Sequence, residues 1–441
     1  DTHDVKVSKD GYMDMNNKKA VFTITVTSTG MNNNVVISDS MAGSALKYMG
    51  DAAFQGNSST PVEVSSGDDG FVFTLPSMNH NETVRITYSA ELDGSRLNAA
   101  EDHGVLTEAE TNNTVTVKSD EDPTEEPASK NFPGSRYMNM TKGSAVDENG
   151  STVTWTITLN KDRIGSAAGT TITDSINEDS RDITSYSGDG ITITRIDDSG
   201  ETSETVGWGN VGMTGSGDYD WSYTIPESDG NVTYVITYTT ESDTSGELKA
   251  RNIGNTVKND AFDLTIPGGA SVKPTGTELS IDKSVVTSNT QETTWKLSVT
   301  IPKGRDYDSV EITDDYPKNS RWDNGAELKY LDELVEGSVS VEGITDGYPS
   351  IEYEDGRLVI TFYKDQECTI PGLAASDEDR NITVTLTTAI DQNWLNDATD
   401  GKIDKEHWNN AAVKVDGVEN KDSEKVMPVK ATVTKKCTAQ S

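Results

Sequence analysis

Cysteine is nearly absent: the 441 residues hold two, Cys368 and Cys437. They lie far apart and form no C-x-x-C, so a disulfide framework is not what holds this chain together. Basic residues are also short, with 37 Lys and Arg against 74 Asp and Glu and a net charge of -37. Such a surface repels nucleic acid and anionic membranes, and no nucleic-acid partner is expected. No apolar run approaches the roughly 18 residues of a membrane span, so no direct membrane insertion is expected. No leader peptide is visible; the chain opens and closes in mid-pattern, as a mature or excised segment would. His3, His80, His103 and His407 are scattered, with no H-E-x-x-H, and are expected on the surface or in loops. Acidic loops such as Asp197–Gly200 and Asp377–Asp379 lack the EF-hand pattern. No metal and no cofactor is therefore expected. There is no G-x-S-x-G, and the one match to G-x-G-x-x-G, Gly207–Gly212, neither follows a βα unit nor opens a helix. A turnover enzyme is not expected.

What remains is strand signal. Hydrophobic residues make up only 33% of the chain, but they alternate with polar ones. That patterning excludes a disordered chain. Runs such as Ala20–Val26, Val153–Leu159 and Trp295–Ile301 put apolar side chains on one face and mostly Thr on the other. Gly, Asn, Asp and Ser clusters separate the runs. Short helices are expected near 97–110, 326–336 and 392–400. Two stretches read as linkers: acidic Ser119–Pro127 and Gly/Pro-rich Ile266–Pro274. They divide the chain into domains at 1–120, 128–267 and 275–430. The fold class is all-β, with three tandem immunoglobulin-like β-sandwich domains and short helical insertions.

The three pieces repeat one another. Each opens with a short strand ending in Lys: Val5–Lys9, Tyr137–Lys142 and Leu279–Lys283. An aromatic follows at 13, 13 and 12 residues: Phe22, Trp155, Trp295. Next comes a strand ending in Asp, at Asp39, Asp174 and Asp314, which lie 30, 32 and 31 residues after the Lys. Each piece closes on an Asn-led strand: Asn113–Val117, Asn255–Val257 and Asn409–Val413. In a sandwich the first and last strands can lie side by side in one sheet, with the Asp strand facing them across the core. Burial would push the Lys toward its neutral amine and the Asp toward its protonated acid. The amine is then a nucleophile, and the acid can polarise an Asn carboxamide. Attack expels ammonia and leaves a Lys–Asn amide.

The order Lys, aromatic-x-Ile/Leu-x-Val/Leu, Ile-Ser/Thr-Asp, Asn-x-Val/Ala resembles the collagen-adhesin A-type isopeptide domain of Gram-positive surface adhesins and pilins, three times over and across nearly the whole chain. In that family Lys and Asn form the bond and Asp catalyses it. The resemblance therefore implies the sets Lys9, Asp39, Asn113; Lys142, Asp174, Asn255; and Lys283, Asp314, Asn409. Phe22 stands in the first copy where the others carry Trp, and the third offers Asn410 and Asp315 as alternatives. Asn409 is preferred because it shares a strand face with Ala411, Val413 and Val415. The competing reading makes the Lys edge-strand gatekeepers, the Asp turn residues and the Asn strand caps.

The resemblance implies an extracellular, cell-wall-attached surface protein of a Gram-positive bacterium, with the modules as a stiff stalk. In such bacteria, cysteine-poor extracellular proteins are common. Alternatively, domains 1 and 2 clasp a host matrix protein or glycan between them. The tail Ala431–Lys435 repeats the opening signature, so residues 431–441 are expected to begin a further module, with Lys435 unbonded.

Overall fold

The computed structural model describes residues 3–213, 218–354 and 356–428; the tail with Lys435 lies outside them. It is built almost wholly of antiparallel strands. The chain divides into two compact units. One runs to Asp243 and includes Asn252–Val272; the other is Thr244–Arg251 with the chain from Lys273 onward. The first unit holds two immunoglobulin-like sandwiches and the second holds one, each built from two main sheets.

All three sandwiches share one plan. In one sheet the lysine strand (Val5–Asp14, Met140–Val146, Ser280–Ser288) pairs with the aromatic strand (Lys19–Ser28, Thr152–Leu159, Glu292–Ile301). The aromatic strand then pairs with a strand near the end of the module (Thr83–Leu92, Thr233–Ser242, Arg380–Ala389). In the other sheet the aspartate strand (Asn32–Ser40, Thr171–Ile176, Val310–Asp315) pairs with the asparagine strand (Asn113–Lys118, Arg251–Asn259, His407–Val415). Period-2 alternation turns Ala20, Phe22, Ile24 and Val26 inward, and likewise Val153, Trp155, Ile157 and Leu159. The expected pairing of first and last strands in one sheet is thus corrected. The Lys strand lies in one sheet, and the Asp and Asn strands lie together in the other. Their shared order in sequence carried no information about which sheet each would join.

Both stretches read as linkers overlap strands. Glu126–Lys130 pairs with the first asparagine strand, and Leu264–Val272 lies beside the second in its sheet. The third module has an equivalent, Val418–Val426, paired with His407–Val415. Pro and Gly are tolerated there because these strands lie at the sheet edge, where a ladder donor can be missing. The region 326–336, read as helical, is also strand. Ala326–Leu331 pairs with Lys318–Asp323 as a two-stranded ribbon. Its helix-forming composition is overridden by contacts to the helix Gln392–Thr399. Tyr330 donates to Asp397 Oδ2 (2.6 Å) and Arg321 Nε to the same oxygen (2.8 Å). That helix does form as read, capped by Asp391, with Trp394, Leu395 and Ala398 buried. His407 is also corrected: it is buried, stacked on Trp394 and bonded through Nε2 to Asp332 (2.8 Å).

Within the first unit the segment between the two sandwiches is packed. Tyr137 and Met138 are buried, and Tyr137 OH donates to Asp102 (2.6 and 2.7 Å). Arg136 Nη1 donates to the carbonyls of His103 (3.0 Å) and Phe262 (3.1 Å). The expected helices near 97–110 are two single turns, Ala99–Asp102 and Glu108–Thr111, and the first supplies Asp102 to this contact. Gly104 sits there at φ +70°, where an added Cβ would strike Met138. Gly104→Ala should cost the first unit about 2–4 kcal/mol, combining left-handed strain with overpacking. Urea unfolding followed by tryptophan fluorescence would measure it, with the second unit's transition unmoved.

Candidate functional site

The register places the same three groups together in each module. Asp39, Asp174 and Asp314 lie opposite Val115, Val257 and Ala411 on the asparagine strand. Asn113, Asn255 and Asn409 each stand two residues before that partner. Each Asn is therefore the diagonal neighbour of the Asp on the core-facing side. On the facing sheet Lys9, Lys142 and Lys283 pair with Ile24, Ile157 and Leu297. The aromatic residue two positions earlier shares that face. Lys Nζ lies 5.0 Å from the Phe22 ring centre, 5.1 Å from Trp155 and 5.2 Å from Trp295.

All three lysines ion-pair with their aspartates, and all six side chains are 0% exposed. The structure thus brings together every one of the nine residues named from sequence. A gatekeeper lysine points to solvent, and these do not. Asn409 faces inward and is fully buried, whereas Asn410 faces outward and accepts from Ser423 Oγ (2.8 Å). Asp315, the other alternative, is salt-bridged to Arg357 (2.7 Å).

The electrostatics follow from burial. Desolvation lowers Lys9 to about 8 against the opposing pull of Asp39, and lowers Lys142 and Lys283 likewise. Desolvation also raises Asp39, Asp174 and Asp314, despite the lysine beside each. Both shifts favour the neutral amine and the protonated acid. In the second module Lys142 Nζ also donates to Asn255 Oδ1 (3.1 Å), which sets the amine against the carboxamide.

Several participants went unnamed in the sequence reading. Tyr88 and Tyr238 stand across from Phe22 and Trp155 on the neighbouring strand. Tyr88 OH donates to Asp39 Oδ2 (2.7 Å) and accepts from Asn113 Nδ2 (3.0 Å). Tyr238 OH donates to Asp174 Oδ2 (2.7 Å) and accepts from Lys142 Nζ (2.6 Å) and Asn255 Nδ2 (3.3 Å). Tyr186 reaches the other oxygen of Asp174 (2.8 Å). The signal for the first two was a repeated Ile-Thr-Tyr, Ile86–Tyr88 and Ile236–Tyr238. The third module reads Val384-Thr-Leu386, and Leu386 stands across from Trp295. The two indoles are satisfied by Thr240 (2.9 Å) and Thr388 (3.1 Å), while Phe22, with no N–H, has Ala90 at the equivalent place.

The strands misread as linkers cover these sites. Gly268 lies directly on the second one. A Cβ there would stand 2.8 Å from Trp155 Cζ3 and 2.9 Å from Lys142 Cδ. In the third module the covering strand contributes Asp422, which accepts from the Lys283 backbone N–H (2.7 Å).

Fold and site together define a class: tandem all-β modules, each with a buried Lys–Asp–Asn set bridging its two sheets. No protein-family profile matches the chain, and no curated protein matches it. Among solved structures it is similar to the C-terminal domain of the Streptococcus pyogenes antigen I/II-family protein AspA. That match has 14% identity and a TM-score of 0.24, and covers 66% of this chain and 99% of that one. It is also similar to the collagen adhesin of S. aureus (13% identity, TM-score 0.24, covering 61% and 92%). The collagen-binding domain of Erysipelothrix rhusiopathiae surface protein RspB is a third (12%, TM-score 0.22, covering 62% and 96%). Likeness this weak bears on neither the site nor its partners.

Gly268→Ala tests the covering strand. It should destabilise the second module by about 1–3 kcal/mol, because the new methyl must displace an indole or a lysine stem. Chemical denaturation would show the loss, and Gly269→Ala, whose Cβ has only Ile253 O nearby at 3.9 Å, should show little.

Proposed function

We propose that each module closes a Lys–Asn isopeptide bond on itself, and that the chain is a covalently stiffened, extracellular segment of a bacterial surface adhesin or fimbrial stalk. The observation that carries this reading is the threefold recurrence of one fully buried Lys–Asp–Asn geometry. An unlinked lysine and carboxylate in a dry core are costly to keep there. A reaction that consumes both lysine charge and carboxamide explains why each copy retains them.

The chemistry balances within the chain. The neutral Lys Nζ attacks the Asn side-chain carbon while the Asp carboxyl polarises its oxygen. Nζ gives up one proton, the Asn nitrogen gains one, the C–N bond breaks, and ammonia leaves. Asp ends as it began. The aromatic ring and the covering strand keep out water, which would solvate the amine and raise its pKa. Each reaction happens once, so the protein is no turnover enzyme. The bond would tie one sheet to the other and close a ring of about 100 residues. By loop-closure entropy that removes roughly 4–5 kcal/mol from the unfolded state's advantage.

A Gram-positive cell-surface setting is drawn from the sequence resemblance, and it suits a chain that must resist shear and proteases without disulfides. The rival reading has the first two domains clasping a host matrix protein or glycan between them. The buried Tyr137 and Met138 between those sandwiches argue against it, because they leave the space filled.

Intact mass tests the bonds directly. Each should remove about 17 Da as ammonia, about 51 Da for three; a mass equal to the unmodified sequence overturns the reading. Asp174→Ala should restore about 17 Da, confined by peptide mapping to residues 140–272, and lower that module's melting temperature by several degrees, read by calorimetry. Loss of the crosslink in all three modules would show that Asp174 acts on folding of the chain instead.

A further inference from the structure

Resting on the crosslinking reading, we infer that Tyr88 and Tyr238 are catalytic proton relays to the departing asparagine nitrogen, and that the third module works without one. Each hydroxyl lies between the Asp carboxyl to which it is hydrogen-bonded and the nitrogen that must receive a proton. Tyr238 OH is 2.7 Å from Asp174 Oδ2 and 3.3 Å from Asn255 Nδ2, and it touches the attacking Lys142 Nζ at 2.6 Å. Tyr88 repeats the bridge at 2.7 and 3.0 Å. In the third module Leu386 holds the equivalent position, and Asn409 Nδ2 has no phenol oxygen beside it to accept its hydrogen.

Amide nitrogen is a poor leaving group until it is protonated. Once Nζ has added to the carboxamide carbon, that nitrogen is basic. The phenol gives its proton to Nδ2 and takes one from the Asp carboxyl. The C–N bond breaks and NH₃ leaves. The proton lost by Nζ returns the carboxylate to its acid. The phenol is unchanged, and no outside donor enters. Burial raises both tyrosines well above the ordinary phenol range, so each stays protonated and able to donate. Their rings also pack: Tyr88 stacks on Phe22, and Tyr238 meets Trp221 edge-on. A purely structural role would therefore survive loss of the oxygen alone.

The test follows the three bonds separately in one full-length chain. Protein made in a reconstituted translation reaction is quenched in acid over time, digested, and read for the 17 Da loss in each module. In the native chain the third bond should form more slowly than the first two. Tyr238→Phe keeps the ring and should slow the second bond about a hundredfold, in the range of general-acid catalysis. The first and third bonds serve as internal controls. The native second bond should slow in D₂O more than the same bond in Tyr238→Phe. Near-ultraviolet circular dichroism checks that the variant folds. A native third bond as fast as the others overturns the relay whether or not the variant folds. So does a normal second bond in folded Tyr238→Phe, and in both cases the crosslinks themselves stand. No mass loss in any module instead overturns the crosslinking reading and this inference with it.

Discussion

A lysine amine and an aspartate carboxyl packed between two sheets, out of reach of water, constrain everything else in each module. Isolated charges cannot be held in such a place; the group neutralises, pairs or reacts. The fold meets that constraint with a fixed register. The lysine enters from one sheet, the Asp and Asn from the other, and an aromatic ring closes the side. Once the Asp and Asn strands pair in this register, period-2 alternation puts Asp and Asn on one face as diagonal neighbours.

The late strand of each module completes the enclosure. Glu126–Lys130, Leu264–Val272 and Val418–Val426 come after the asparagine strand, so the dry site is finished only when the whole module has been made. Gly268 shows what that closure demands locally, because the backbone lies against Trp155 and Lys142 with no room for a methyl group. The glycines and proline of this stretch looked like linker chemistry. They are instead what lets an edge strand approach a buried lysine.

The modules differ where the plan allows it. Phe22 with Ala90 replaces Trp with Thr, so the indole donor and its acceptor are lost together and no buried polar group is orphaned. Leu386 replaces Tyr and does orphan a group: Asn409 Nδ2 loses the phenol oxygen that accepts from Asn113 and Asn255. A buried unpaired amide costs about 1–3 kcal/mol, and a reaction that consumes it relieves that cost.

Much of this was legible from residues alone. Alternation settled the strands, and three copies in register singled out Lys9, Asp39, Asn113 and their equivalents, because only a packed site needs those spacings kept. Asn409 over Asn410 was likewise decided by face. Composition failed at 326–336, where a helix-forming run is held as a ribbon by Asp397, which lies some 66 residues beyond Leu331. It failed at His407, which is buried by Trp394 stacked on its ring and by Asp332, 75 residues earlier, bonded at Nε2. The sequence determined which residues face inward, since that is a local periodicity. Which sheet each strand joined, which tyrosine met which carboxylate, and which strand covered the lysine were decided only by tertiary structure, because long-range pairing obeys register and enclosure that no local pattern records.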